Sequence, residues 1–104
     1  PESIALATQE LLKEMMSHNN LTPEDVISVL LTASPDLTSA FPAAGAREVG
    51  FSNVPLMCAV EIDVVGALKQ VIRAMATVET PLAKNEISHI YLHGAKSLRV
   101  DIAQ

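Results

Sequence analysis

Apolar residues recur at helical spacing over the first eighteen residues of the chain, while most charged residues fall elsewhere around the helix. The apolar face comprises Ile4, Ala7, Leu11, Leu12, Met15 and Met16. This pattern predicts a helix from Pro1 to about His18. Proline at a first helical position, followed by an acid, places the N-cap one residue earlier. We therefore expect the natural chain to carry residues upstream of Pro1.

The next apolar run, Val26–Ala33, is rich in β-branched residues and ends at a Ser-Pro-Asp turn. These features predict a buried strand, although periodicity alone leaves a helical interpretation open for so short a run. The residues before it, 22–25, predict a capped helical turn. Phe41-Pro42-Ala43 predicts the start of a second helix, which ends near Val49 before Gly50.

Two apolar, strand-like runs occupy Val54–Val78 and are joined by a turn that contains Gly66. Glu61 in the first run and Arg73 in the second are charged. A charge within an apolar strand is costly unless it is paired or serves a ligand. We therefore expect Glu61 and Arg73 to form the centre of a site.

A last strand is predicted over Ile87–His93, and a short helical turn over Gly94–Arg99. The predicted order α, β, α, β, β, β is typical of an α+β fold with helices on one face of a sheet. We expect the other face to contact another subunit, which makes an oligomer.

Composition narrows the classes of function. The chain of 104 residues fits one domain, 1–104, with 49% hydrophobic and 3% aromatic residues. A net charge of −5 argues against nucleic-acid binding. No apolar run reaches the roughly 20 residues that span a bilayer, and no secretory signal is visible, so we expect no membrane partner. A single cysteine fits a reducing cytoplasm.

Each candidate functional residue also has a purely structural interpretation. Arg73 on an edge strand could simply extend to water, or it could present its donors to a carboxylate or a developing oxyanion. Glu61 could pair with a surface lysine. Cys58 is typical of a small buried residue rather than a nucleophile, and on a regular strand it faces away from Glu61 unless a bulge or bend intervenes.

No metal or cofactor site is predicted. His89 and His93 would lie roughly 13 Å apart on a strand, which is too far to share an ion. The sequence has no Gly-rich phosphate loop and no credible Ser–His–Asp order. Arg47, Arg73 and Arg99 are the basic residues that could converge on a small anion. The residues therefore predict a pocket for a small carboxylate ligand.

Several separate motifs follow one another along nearly the whole chain: Ser34-Pro35-Asp36-Leu37, Phe41-Pro42-Ala43 with Arg47, Val54-Pro55, Cys58-Ala59-Val60-Glu61, Ile72-Arg73, His89-Ile90-Tyr91-Leu92 and Leu98-Arg99. Together these motifs resemble the trimeric α/β-type monofunctional chorismate mutases. The resemblance implies a mixed sheet packed on helices, assembled as a trimeric pseudo-α/β-barrel with active sites between subunits.

The implied activity is the isomerisation of chorismate to prephenate in phenylalanine and tyrosine biosynthesis, with no cofactor. By the same resemblance, Arg73 donates to the ether oxygen of the substrate, and Glu61 with the Met57–Cys58 region contacts the ring. Tyr91 holds the side-chain carboxylate. Phe41 and Arg47 of a neighbouring subunit close the pocket, and Leu98 and Arg99 cover it.

The sequence departs from the family pattern at three places. Ala44 replaces a usual lysine, and Met57 stands where a threonine is common. The family's first strand, which carries a further substrate-binding arginine, would lie before Pro1. Two alternatives remain open at this point: a reactive-intermediate (imine) deaminase with a related trimeric fold, and a non-catalytic trimer that binds a metabolite.

Overall fold

The computed structural model describes residues 2–37, 41–67 and 69–92. The regular elements are α1 (Glu2–His18), β1 (Val26–Ala33), α2 (Pro42–Ala46), β2 (Leu56–Val60) and β3 (Ile72–Val78). Short turns of 3-10 helix cover Pro23–Asp25 and Lys84–Glu86, and a wider helical turn covers Arg47–Phe51.

β1 is the central strand of the sheet that the described residues form, and the strand order is β2-β1-β3. β1 runs parallel to β2 and antiparallel to β3. Its residues Val29 and Leu31 are 2% and 0% exposed. β-branched side chains fit such a half-buried pleated surface well, which explains why this run is a strand and not the competing helix.

Both helices pack on the same face of the sheet. Their apolar sides meet β1 in a core that consists of Leu12, Met16, Val26, Val29, Leu31, Ala43, Ala46 and Phe51. The predicted α+β architecture with helices on one face is confirmed.

The opposite face of the sheet, which we call the open face, carries two cross-strand rows of side chains. Strand register aligns Met57, Leu30 and Met75 in one row. Met57 and Met75 remain 68% and 71% exposed. The next row aligns Ala59, Thr32 and Arg73. An apolar row therefore lies beside a polar one on a surface that neither helix covers.

The strand predicted at Ile87–His93 is wrong where the structure describes it. Residues 87–92 form no strand, and a cavity of about 840 Å³ separates them from β3, with α1 as its third wall. The segment is instead held by Asn19, whose amide accepts from the Ser88 N–H at 2.7 Å and donates to the Ser88 carbonyl at 3.0 Å. Since residues 87–92 pair with no strand in the described part of the chain, these side-chain bonds satisfy the Ser88 backbone instead. His93 and Gly94–Arg99 lie outside the described residues.

The other predicted boundaries hold with one adjustment. α1 ends at His18 as expected, and a capped turn follows it at Pro23–Asp25, where the Thr22 N–H donates to Asp25 at 2.9 Å. The second helix is regular only to Ala46. The wider turn then carries the chain to Gly50, which adopts φ +102°, a conformation that favours glycine. Among the described helices, none is long and apolar enough to cross a membrane.

Gly45 sets the separation between α1 and α2. A Cβ at this position would lie 2.6 Å from the Ala5 carbonyl oxygen, so a larger residue forces the helices apart. We expect Gly45→Ala to destabilise the protein by about 1–3 kcal/mol, the usual cost of overpacking, despite the better helix propensity of alanine. Urea unfolding measures this cost.

The matched control is Ala44→Gly, which lowers the helix propensity of the same helix at an exposed position. It should cost no more than about 1 kcal/mol. A neutral or stabilising Gly45→Ala would contradict the close helix contact.

Candidate functional site

Arg73 and Glu61 form an ion pair on the open face of the sheet. Arg73 Nε lies 3.0 Å from Glu61 Oε2, and their side chains are 54% and 21% exposed. An ion pair this exposed contributes only ~0–1 kcal/mol to stability. The pair is therefore poorly explained as a support of the fold, and its donors and carboxylate are accessible to a ligand.

Thr32 joins this pair at the centre of the polar row. Its hydroxyl donates to Glu61 Oε2 at 2.5 Å, and strand register places it directly opposite Arg73. Because Leu31 is buried on the helix side, alternation along β1 sends Thr32 to the open face. Sequence reasoning missed Thr32. A hydroxyl-bearing residue in a largely apolar strand was a signal, but register was needed to connect Thr32 to Glu61.

Glu61 lies one residue beyond the end of β2, where its backbone N–H donates to the Ala33 carbonyl at 3.0 Å. The backbone thus keeps the β1 pairing for one more residue, while regular strand structure ends. The side chain turns towards Thr32 and Arg73. The structure brings Glu61 and Arg73 together within one chain.

The start of β3 is fixed by the Ser34–Asp36 turn. The Val71 N–H donates to Ser34 Oγ at 3.0 Å, and the Gln70 N–H donates to the Asp36 carboxylate at 3.0 and 3.3 Å. Hydrogen bonding to Ser34 is the main cause that lowers the pKa of Asp36, and the Gln70 N–H and Lys69 act in the same direction. These contacts hold the register that sets Arg73 opposite Thr32.

Cys58 and Met57, predicted beside Glu61, point to opposite faces. Met57 lies exposed on the open face. Cys58 pairs with Leu31 in register and packs against the core cluster, with its thiol free of any disulfide. Of these two residues, only Met57 shares the face of Arg73 and Glu61.

Phe41 and Arg47 flank α2, the helix that packs on the covered face. Phe41 is 76% exposed, and Arg47 is exposed as well. Since α2 and the Arg73–Glu61 pair lie on opposite sides of the sheet, one chain does not bring these residues together. Leu98 and Arg99 lie outside the described residues.

Tyr91 is half-buried and lines the 840 Å³ cavity between α1, β3 and residues 87–92. Arg73 lines the same cavity, but Glu61, Met57 and Cys58 do not. This cavity therefore adjoins the cluster of Arg73, Glu61 and Thr32 only at Arg73. The cavity walls are mostly apolar, so the cluster of charged and hydroxyl groups is the better candidate for the chemistry.

The cluster has a definite chemical capacity. A guanidinium offers several N–H donors in a rigid plane, and the adjacent carboxylate accepts hydrogen bonds from hydroxyl groups. Among the described residues, no group of three or more His, Cys, Asp or Glu side chains is placed to hold a metal ion. The arrangement suits a small ligand that carries both anionic oxygens and a hydroxyl group.

The α+β domain thus presents an arginine and a glutamate side by side on the open face, which fits a protein that binds a small anionic ligand. A model of the family described as chorismate mutase type I matches residues 1–102. The chain therefore belongs to the type I chorismate mutase family.

Individual relatives agree with the family match. Chorismate mutase AroH of Bacillus subtilis (strain 168) is 43% identical over 103 residues, which cover 98% of this chain and 81% of that protein. Chorismate mutase AroH of Thermus thermophilus is 43% identical over 103 residues, or 98% of this chain and 84% of the relative.

The fold comparison gives the same result. The solved structure of a chorismate mutase from Clostridium thermocellum, Cth-682, matches with a TM-score of 0.90 at 47% identity. The match covers 92% of this chain and 86% of the other. These findings favour a chorismate mutase over the imine deaminase and the non-catalytic trimer.

The lowered pKa of Asp36 predicts a pH-dependent contribution to stability. A carboxyl whose pKa is lower in the folded state stabilises the fold above its unfolded pKa, and this contribution is lost as the pH falls through the folded pKa. We expect Asp36→Asn to be less stable than wild type at pH 6, and this difference to shrink below about pH 4. Urea midpoints of both proteins across this range measure the effect.

The comparison between the two proteins cancels the titration of the other carboxylates. A difference that stays constant from pH 6 to pH 3 would show that the ionised Asp36 does not hold the start of β3.

Proposed function

We propose that this chain catalyses the conversion of chorismate to prephenate, with Arg73 and Glu61 as the catalytic residues. The ion pair on the open face is the observation that carries the assignment, together with membership of the type I family. The reaction is a unimolecular Claisen rearrangement in which a C–O bond breaks as a C–C bond forms. It requires no external nucleophile and no net proton transfer.

Arg73 carries the charge-stabilising part of this mechanism. Negative charge develops on the ether oxygen as the C–O bond breaks, and a preorganised donor stabilises the transition state more than the ground state. The Arg73 guanidinium is already oriented by Glu61 at 3.0 Å. Little reorganisation is then needed when the charge develops.

Glu61 accepts a hydrogen bond from the ring hydroxyl of the substrate. Met57, exposed on the same face, lines the ring, and Cys58 supports the strand from beneath. Tyr91, which lines the same cavity as Arg73, binds the side-chain carboxylate. Together, these contacts favour the compact pseudo-diaxial conformer of chorismate, in which the reacting carbons are close to each other.

The rest of the pocket comes from a neighbouring subunit in a homotrimer. Phe41 and Arg47 lie exposed beside α2, on the side of the sheet away from their own Arg73. A partner chain can place them over the open face. We assign them to closing the pocket, with Leu98 and Arg99 covering it.

The apolar row on the open face supports this assembly. Met57 and Met75 are large, exposed and aligned with Leu30 across three strands. Burying one methionine side chain stabilises an interface by about 1.5–3 kcal/mol. One such apolar row per subunit therefore favours association of the subunits substantially. We place the trimer in the cytoplasm because its single cysteine forms no disulfide. The proposed reaction belongs to phenylalanine and tyrosine biosynthesis.

Loss of chorismate absorbance, with prephenate identified as the product, tests the activity directly. In this assay we expect Arg73→Ala to lower kcat by at least ~10²-fold, the scale for the loss of one preorganised donor. Arg73→Lys should also lose most activity, because an ammonium group cannot reproduce the planar donor arrangement.

The control is Lys84→Ala, which removes an exposed positive charge from the turn at Lys84–Glu86 and should leave kcat unchanged. Near-normal turnover by Arg73→Ala would refute the assignment of Arg73, while its oligomeric state checks that the fold survives.

Light scattering after size-exclusion chromatography tests the assembly. We expect a mass of three chains of 11.1 kDa each. Met75→Glu, which puts a charge in the apolar row, should shift the protein towards monomer and lower activity in parallel, because a buried unpaired charge is costly.

Leu6→Glu is the matched control, since Leu6 is 59% exposed on α1 in the helix layer. It should leave the mass unchanged. A monomeric wild-type chain that still turns over chorismate would contradict the proposal that sites form between subunits.

A further inference from the structure

Thr32 lies where the two charged side chains of the site meet. It belongs to the central strand, faces Arg73 of β3 on one side, and faces Ala59 of β2 on the other. Its hydroxyl is thus fixed by the most firmly held strand of the sheet. Its neighbour Leu31 is 0% exposed, which anchors the backbone at this point.

Glu61, by contrast, has little support of its own. It follows the last residue of β2, and the residues after it, 62–67, are exposed and belong to no strand. Its backbone is held by one hydrogen bond to Ala33. A glutamate has three rotatable side-chain bonds, so a carboxylate at such a position needs a further contact to occupy a single orientation.

Two contacts supply that orientation, and both reach the same oxygen. The Thr32 hydroxyl donates to Oε2, and Arg73 Nε lies 3.0 Å from Oε2. Arg73 is itself 54% exposed and lies on an outer strand of the described sheet, so its side chain is less constrained by packing than that of Thr32 on the central strand. Thr32 is therefore the contact that ties the carboxylate to the rigid part of the fold.

We propose that Thr32 is the positioning residue of the site and that it acts through Glu61. By engaging Oε2, the Thr32 hydroxyl directs Oε1 towards the ring hydroxyl of the substrate and keeps Oε2 beside Arg73. The inference rests on the proposed function, since it concerns how Glu61 recognises that hydroxyl. Thr32 itself need not touch the substrate.

Threonine is also common in strands for reasons of shape alone, and the variants separate the two roles. Thr32→Val keeps the branched shape and strand preference but removes the hydroxyl. Thr32→Ser keeps the hydroxyl and removes a methyl group. A structural role predicts that Val is tolerated and Ser is not, whereas positioning of Glu61 predicts the reverse.

The test measures kcat and KM for chorismate with the full chain, in the wild-type and Glu61→Ala backgrounds. We expect Thr32→Val to lower kcat/KM about tenfold or more in the wild-type background, the scale for losing a hydrogen bond to a charged group. Thr32→Ser should stay within about threefold. In the Glu61→Ala background, Thr32→Val should change kcat/KM by less than about twofold, because its partner is already gone.

Each outcome decides a separate point. Equal losses from Thr32→Val in both backgrounds, or no loss in either, overturn the role of Thr32 while leaving the proposed function intact. A wild-type chain that does not convert chorismate overturns the proposed function and this assignment with it. If Thr32→Val does not fold, the pair Thr32→Ser and Thr32→Ala differ by the hydroxyl alone and give the same comparison.

Discussion

The pairing of β1 with its two neighbours is the constraint on which the rest of the structure depends. Burial of Val29 and Leu31 against the helices fixes which side of β1 faces the core. Since side chains alternate along a strand, the same choice sends Leu30 and Thr32 to the open face. A shift of the strand register by one residue would exchange the buried pair with the exposed pair, and both the core and the candidate site would be lost.

The sheet therefore separates stability from chemistry. The covered face holds the apolar core, and the loss of any of its large side chains would cost several times what the exposed Arg73–Glu61 pair contributes. Beside its apolar row, the open face carries charged and hydroxyl groups that cost little to expose and can bind a ligand. This division explains how an arginine can stand in an apolar strand: it points to the side that the helices leave uncovered.

Much of the fold was predictable from local sequence. The helical period of Ile4, Leu11 and Met15 predicts α1, and the β-branched residues of Val26–Ala33 favour the strand that forms. The strand predicted at Ile87–His93 failed because alternation shows that a segment can be extended but not whether a ladder partner lies within reach. Residues 87–92 pair with none of the strands that the structure describes, and Asn19 holds Ser88 instead.

The candidate site was also predictable only in part, because local sequence does not show which residues are paired across strands. Charges in apolar runs pointed to Glu61 and Arg73, but the contribution of Thr32 depends on register, which joins residues 29 and 41 positions apart. Local sequence also could not show that Cys58 packs towards the core while Met57 faces outward, since β2 could have presented either side. Phe41 and Arg47 lie beside α2 on the covered side of the sheet, and local sequence did not show that they would be apart from Arg73 and Glu61 within one chain.

A crystal structure of the chain with a bicyclic dicarboxylate that mimics the compact transition state tests the central claim most directly. We predict that the analogue lies on the open face, with its ether oxygen within hydrogen-bonding distance of the Arg73 guanidinium and its hydroxyl on Glu61. An analogue bound instead in the cavity between α1, β3 and residues 87–92, away from Glu61, would contradict this account.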